Sequence, residues 1–332
     1  MKKLLLVAVA VILLCAGGAA LVAFQPYRGF AGNALVEFPR GTSTAEMARK
    51  LAEAGVVRHA AAFQLARALR PGVKLQAGEY EFTDAASPAA VLDRIARGDV
   101  HYYEISIPEG SNMFDAAEAV GKTGFLKADD FLKVARSPKL IQDLAPNAPS
   151  LEGFLFPATY RITRSTTVEQ TVKMMLDQFR RQWKVATKNQ PKANVLETVT
   201  LASLVEKESG VANERPIVAS VYANRLRKGQ KLDADPTTIY AAMLAGRYRG
   251  TIYKSDLASD HPYNTYQHTG LPPGPIANPG LASLEAAVKP AETEFLYFVA
   301  KGDNSGQHNF SKDYEGHQRF VAQYRQRMLL RK

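Results

Sequence analysis

The feature that most restricts how this chain can fold is an internal repeat without gaps. Residues from Val36 align on those from Ile105 at an offset of 69, Val36-Glu37-Phe38-Pro39-Arg40-Gly41-Thr42 against Ile105-Ser106-Ile107-Pro108-Glu109-Gly110-Ser111. Each copy continues into an alanine-bearing amphipathic segment, Ala45–Ala54 or Phe114–Lys122. Each then meets a glycine, Gly55 or Gly124, and an apolar pair, Val56-Val57 or Phe125-Leu126. Such a pattern predicts a strand, a Pro-x-Gly turn, and a helix capped by a hydroxyl and an acid and stopped by glycine. Between the copies, Leu75–Phe82 reads as a short strand and Ser87–Arg97 as a helix closed by Gly98. The fold class is therefore α+β.

A chain of 332 residues is long enough for about two domains with real cores. Lys2 and Lys3 precede an uncharged run of 21 residues, Leu4 to Phe24. That length predicts a single transmembrane helix, retained and not cleaved, with its positive end cytoplasmic. The expected organisation is a cytoplasmic tail over 1–3, the span over 4–24, a linker over 25–33, a small α/β module over 34–104 and a larger α+β domain over 105–332. The expected location is the inner membrane, single-pass, with the C-terminal domains periplasmic. The βααβ order of the first module resembles the LysM modules that bind cell-wall glycan.

The single cysteine, Cys15, excludes internal disulfides and cysteine metal clusters. The six histidines form no pair at ligand spacing, so neither a metal nor another cofactor is expected. The net charge of +10 is dispersed, and the predicted topology puts it on the wrong side of a membrane for nucleic acid, so no nucleic-acid partner is expected. No GxSxG or SxxK occurs, which argues against a serine hydrolase.

The second half centres on Thr198–Gly210. Asn194 with Glu197 three residues on marks a helix start. Leu201, Leu204 and Val205 share a face with Glu208, which predicts that Glu208 points inward. Glu206 is rotated towards Ala202 and Ser203 and is read as a solvated or structural charge. A basic amphipathic helix over 167–185 carries the sole tryptophan, Trp183. Asn213 is placed to cap a further helix, with Ile217, Val218, Val221, Tyr222 and Leu226 on its apolar face and Asn224 and Arg225 near its end. The stretch Tyr263–Gly280 is a proline-rich loop, of a kind more often functional than ornamental.

Taken together, SLEGFLFPATY, TLASLVEKES, NERPIVASVYANRL, DADPTTIYA, YNTYQHTGLPPGPIANPG and YFVAKG followed by HNFS resemble the endolytic murein transglycosylase family, also called MltG or YceG-like. The match runs from about residue 34 to 330, with blocks in the family's order and spacing. The resemblance implies a lyase that cleaves nascent peptidoglycan between N-acetylmuramic acid and N-acetylglucosamine. It leaves 1,6-anhydro-muramic ends and so terminates strand elongation. It also implies work beside peptidoglycan synthases. The family's catalytic glutamate, the second of its ExE pair, falls on Glu208.

The chemistry asks for a proton on the leaving oxygen while positive charge builds on the sugar. A buried Glu208 would stay protonated and serve as general acid, then as base towards the muramic C6 hydroxyl. Because the nucleophile belongs to the substrate, none of Glu206, Glu214, Asp233 or Asp235 is expected to be essential as nucleophile or base. Neutral polar rings call for amides, hydroxyls and aromatic faces. The predicted substrate-binding residues are Asn224, Asn264, Thr265 and Tyr266, with Thr237, Tyr240, His308 and Phe310. A non-catalytic, membrane-tethered glycan-binding scaffold is the competing reading, and it has no use for an acid on an apolar face.

Overall fold

The computed structural model describes residues 2–190 and 192–329. In chain order its elements are α1 (Lys2–Phe24), β1 (Ala34–Phe38), α2 (Thr44–Glu53), α3 (Ala60–Ala68), β2 (Gly78–Phe82), α4 (Pro88–Arg97), β3 (Tyr103–Ser106), α5 (Met113–Gly121), α6 (Ala128–Ala135) and β4 (Thr159–Ile162). There follow α7 (Val168–Ala186), α8 (Val195–Glu208), α9 (Arg215–Arg227), α10 (Asp235–Leu244), α11 (Lys254–Leu257), α12 (Leu281–Val288), β5 (Tyr297–Ala300), β6 (His308–Ser311) and α13 (Tyr314–Leu329). The strands form three two-stranded sheets, β1 with β2, β3 with β4 and β5 with β6. The mixed α+β class agrees with the sequence pattern.

The membrane expectation is corrected. The run after Lys3 does become helix, but among the described residues no helix is long and apolar enough to cross a membrane. The transmembrane helix over 4–24 and the single-pass inner-membrane location both fall with that finding.

The chain divides into two compact units. One comprises Met1–Tyr103 with Arg161–Thr166; the other comprises Glu104–Tyr160 with Thr167–Lys332. In the first, β1 and β2 pair antiparallel, Ala34 opposite Phe82 and Phe38 opposite Gly78. Strand β1 alternates buried and exposed residues, so one face closes on Leu51, Phe63, Leu92 and Ile95. Helix α4 is bounded as its sequence predicts. Ser87 accepts from the Ala90 amide, Pro88 opens the helix and Gly98 takes a left-handed φ of 71°. Arg164 bonds the buried Glu79 at 3.2 Å, and Tyr103 donates to the same carboxylate at 2.7 Å.

The repeat is visible in backbone geometry. Gly41 and Gly110 occupy the same turn position with φ of 87° and 75°, which only glycine adopts without strain. The caps are Ser43, accepting from Glu46, and Asn112, boxed with Asp115, so an amide replaces the hydroxyl in the second copy.

In the second unit α8 lies between α12, α9 and α10. Every residue from Val199 to Val205 is buried, so the middle of this helix has no wet face, while Glu197 and Lys207 near its ends are exposed. Helix α7 carries Phe179 and Trp183, and Phe154 meets Phe179 edge-on at 5.1 Å. The proline-rich loop is tied down by buried hydrogen bonds. The Ile276 amide donates to Ser203 Oγ at 3.1 Å, and the Gly280 amide donates to Glu206 Oε2 at 2.9 Å. Asn278 Oδ1 accepts from the Leu155 amide at 3.0 Å.

Candidate active site

Glu208 is the last residue of α8. Asn194 caps the start, its Oδ1 accepting from the Glu197 amide at 3.3 Å. At the other end Ser209 turns extended, with φ −123° and ψ 113°, so the chain leaves the helix immediately after the carboxyl. Helix α9 follows, with Pro216 in its first turn. Asn213 does not cap it, because Ala212–Glu214 form a short 3-10 turn and Glu214 takes the cap position.

Tyr222 and Arg225 lie three apart on α9, on one face. Both line a cleft of about 350 Å³ with Glu208. Its other walls are Asp233 and Asp235 on the approach to α10, Tyr266 from the loop, Tyr297 and Phe298 of β5, and Tyr314 and His317 one turn apart on α13. Tyr297 stacks on His317 at 5.2 Å between ring centroids, and the Arg225 guanidinium sits 5.1 Å over the Tyr297 ring. The cleft is thus lined by aromatic rings around a few charged groups, a composition suited to a polar, ring-shaped ligand.

Burial pushes the Glu208 carboxyl up to about 7; the negative charge of Asp235 adds to this, and a hydrogen bond with the Tyr222 hydroxyl opposes it. Tyr222 is itself held well above its ordinary value, by burial first and then by Glu208, so it remains a protonated donor. His317 is held below its ordinary value by burial and by the Arg225 charge. A carboxyl poised near neutrality can both give and take a proton.

A raised carboxyl does not alone mark a site. Burial also pushes Glu152 up to about 7, yet Glu152 is 0% exposed. It accepts from the Met113 amide at 2.8 Å and from Asn278 Nδ2 at 3.1 Å, and is sealed in the interior. Glu208 alone of the two opens on a cleft.

The other acid of the pair differs from its sequence reading. The Glu206 side chain is only 5% exposed and pairs with Arg215 at 3.2 Å. It is a structural charge, held by that ion pair and by the Gly280 amide. A partner, not a helix face, separates the two acids: Glu206 has a guanidinium and Glu208 does not. Lys207 points away, donating to the Gly110 carbonyl at 3.2 Å.

Of the predicted sugar contacts, only Tyr266 lines this cleft. Asn264 is fully buried; its amide donates to the Leu257 and Ser259 carbonyls, and its Oδ1 accepts from the Tyr266 amide. Thr265 and Thr237 bond each other at 2.9 Å. Tyr240 is buried against Tyr263, ring centroids 5.2 Å apart. Asn224 donates to the Thr293 and Phe295 carbonyls. His308 contacts Glu214 at 2.9 Å, and Phe310 packs on Phe295. These seven do not line the Glu208 cleft, and Asn224 lines separate pockets with Arg227, Thr293 and Glu294. The amides of Asn264 and Asn224 and the hydroxyls of Thr237 and Thr265 are engaged by nearby backbone and side-chain partners.

Sequence patterns missed Tyr222, Tyr297, Phe298, Tyr314 and His317, and read Arg225 only as a polar helix end. The (i, i+3) spacing of Tyr222 with Arg225 and of Tyr314 with His317 was the available signal. Among the described residues no cluster of His, Cys, Asp and Glu could hold a metal ion.

A partly buried carboxyl, raised to about 7 in an aromatic-walled cleft, is the arrangement that proton-transfer chemistry on a ring-shaped ligand calls for. Comparison with known proteins narrows this further. The YceG-like family matches residues 36–323. An endolytic murein transglycosylase of Bacillus subtilis is 33% identical over 308 residues, covering 87% of this chain and 84% of that protein. One of Streptococcus pneumoniae R6 is 30% identical over 87% of this chain, which spans 58% of the longer pneumococcal protein. A crystal structure of a YceG-like protein from Listeria monocytogenes superposes with a TM-score of 0.57 at 31% identity, covering 87% of this chain and 99% of that one. The chain belongs to the YceG-like family.

Proposed function

We infer that this protein is an endolytic lytic transglycosylase. It cleaves the bond between N-acetylmuramic acid and N-acetylglucosamine in nascent peptidoglycan strands, leaves 1,6-anhydro-muramic ends and terminates elongation. The relatives named as murein transglycosylases support the activity. The observation that carries the mechanism is Glu208, a carboxyl lifted to about 7, without a cation partner, opening on an aromatic cleft.

In this reading protonated Glu208 donates its proton to the glycosidic oxygen as the C1–O bond breaks, releasing the N-acetylglucosamine hydroxyl. Positive charge spreads over C1 and the ring oxygen of the muramic residue. The muramic C6 oxygen attacks C1, and its proton passes to the Glu208 carboxylate. The enzyme ends as it began, and no water is consumed. One carboxyl serves both steps because its proton affinity lies near the working pH. Tyr266, Tyr297 and Tyr314 supply ring faces for the sugars. The βααβ module of the first unit is assigned glycan binding, supported by its element order. Peptidoglycan synthases, which extend the strands that this chemistry ends, are the proposed protein partners.

Mass analysis of glycan products tests this. The wild-type chain should yield anhydro-muramic ends, and Glu208→Gln should leave strands intact while still folded. Reducing muramic ends would make the enzyme a hydrolase. Cleavage by Glu208→Gln would remove Glu208 from the mechanism.

A further inference from the structure

Five carboxylates on or near the α8–α9–α10 core are candidates to assist Glu208, and four are already committed. Glu206 is held by Arg215 and the Gly280 amide. Glu214 is held by the amide and ring of His308. Glu152 is sealed. Asp233 pairs with Arg225 at 3.3 Å. The fifth, Asp235, is exposed to the cleft, and among the described residues no ion pair holds it.

The chain takes trouble to place it. Asp233 adopts a left-handed φ of 48°, a conformation that costs a non-glycine residue energy and persists where surroundings enforce it. The enforcement comes from Thr265, whose Oγ1 accepts from the Ala234 amide at 3.1 Å. Thr237 Oγ1 closes the same turn on the Ala234 carbonyl at 2.7 Å. Asp235 is then the first residue of the ten-residue α10, where the helix dipole favours a charged carboxylate. Tyr266 donates to its Oδ1 at 2.6 Å and fixes its orientation.

We propose that Asp235 is the second working carboxylate of this cleft, an ionised group that faces the positive charge developing on the muramic C1 and ring oxygen, with Tyr266 as its positioning residue. The proposal rests on the lytic reading of the cleft. Asp235 forms no bond to the sugar and takes no proton. The nucleophile remains the C6 hydroxyl and the acid–base group remains Glu208. Its contribution is a fixed charge aimed where charge appears, of the kind worth about 10²–10³ in rate. The titratable and charged groups that line the cleft with Glu208 are Tyr222 and Arg225 of α9, Asp233, Asp235, Tyr266, Tyr297 of β5, and Tyr314 and His317 of α13. Tyr222 and Tyr266 are held protonated, by burial first. Arg225 is permanently charged and compensates Asp233. Asp235 is therefore the group whose neutralisation should shift the Glu208 titration.

The test uses the full chain and uncrosslinked glycan strands, with initial rates taken across the pH range. Asp235→Asn should lower kcat by about 10²–10³-fold, leave KM within about twofold, keep the anhydro products, and move the high-pH limb to lower pH. Tyr266→Phe should give a smaller fall of about tenfold, in the range of one lost charge-assisted hydrogen bond. Asp235→Asn with wild-type kcat and limb overturns the proposal. So does a loss expressed only in KM, or one accompanied by a matching drop in thermal midpoint. Glu208→Gln run alongside separates the two claims. If it is inert while Asp235→Asn is active, the lytic reading stands and this inference fails; if it is active, the lytic reading itself fails.

Discussion

Raising the pH should act on Glu208 twice, through rate and through stability, with one number governing both. Its carboxyl is lifted from 4.5 to about 7. The folded state therefore binds this proton more tightly than the unfolded chain does. The carboxyl weighs least against folding below pH 4.5; the penalty grows as pH rises and is complete above about 7. At about 1.4 kcal/mol per pH unit the full penalty is roughly 3 kcal/mol. Allowing for partial exposure, about 2 kcal/mol of it falls between pH 5 and pH 8. Glu208→Gln keeps an acceptor for the Tyr222 hydroxyl and removes the ionisation. The variant should then lose activity by at least about 10²-fold yet gain roughly 2 kcal/mol over wild type at pH 8, with little gain at pH 5. Urea titrations of both proteins at the two pH values read the difference directly. The wild-type rate should fall tenfold per pH unit above about 7 as the acid is depleted. Parallel pH–stability curves for the two proteins, or a high-pH limb near the ordinary carboxylate range, would refute the reasoning.

Other perturbations follow from the packing around α8. Glu206→Gln strands the nearly buried Arg215, whose next carboxylate, Glu109, is 3.8 Å away, and should cost about 3 kcal/mol by denaturant unfolding. Ser203→Ala removes the acceptor of the buried Ile276 amide and should cost about 1–2 kcal/mol, read as a lower thermal midpoint. Gly153→Ala places a methyl group against the Pro275 ring and 2.9 Å from Val199 at a φ of +85°, so a loss of at least about 2 kcal/mol is expected in the same assay.

Local structure was legible wherever a signal and its partner lie close in sequence. The caps of α4 and α8 and the glycine turns of the repeat all depend on residues within four positions of each other. Periodicity along α8 points Glu208 inward but leaves Glu206 as either a solvated or a structural charge, because it assumes one wet face and the middle of α8 has none. The partner of Glu206 lies nine residues on, beyond a turn. The cleft was harder still. Its walls come from α8, α9, the α10 approach, the loop and α13, segments separated by as much as a hundred residues. Asn264 and Asn224 look like ligand amides in sequence because nothing local reveals the carbonyls that consume them. Tyr297 and His317 look like ordinary core residues until β5 and α13 are brought together. The apolar run at the start shows the reverse error, since composition suggested a span that the described helices do not provide.

The short segment 161–166 has a practical consequence for dividing this protein. It belongs to the first compact unit although it follows 57 residues of the second. A cut at residue 104 would remove Glu79 from Arg164, and the complementary fragment would keep a buried Glu79 without its guanidinium. Each half would lose one side of that ion pair. Deletion of the first hundred residues would thus be a mutation of both halves at once, and a loss of activity on truncation would say nothing by itself about glycan binding by the module removed.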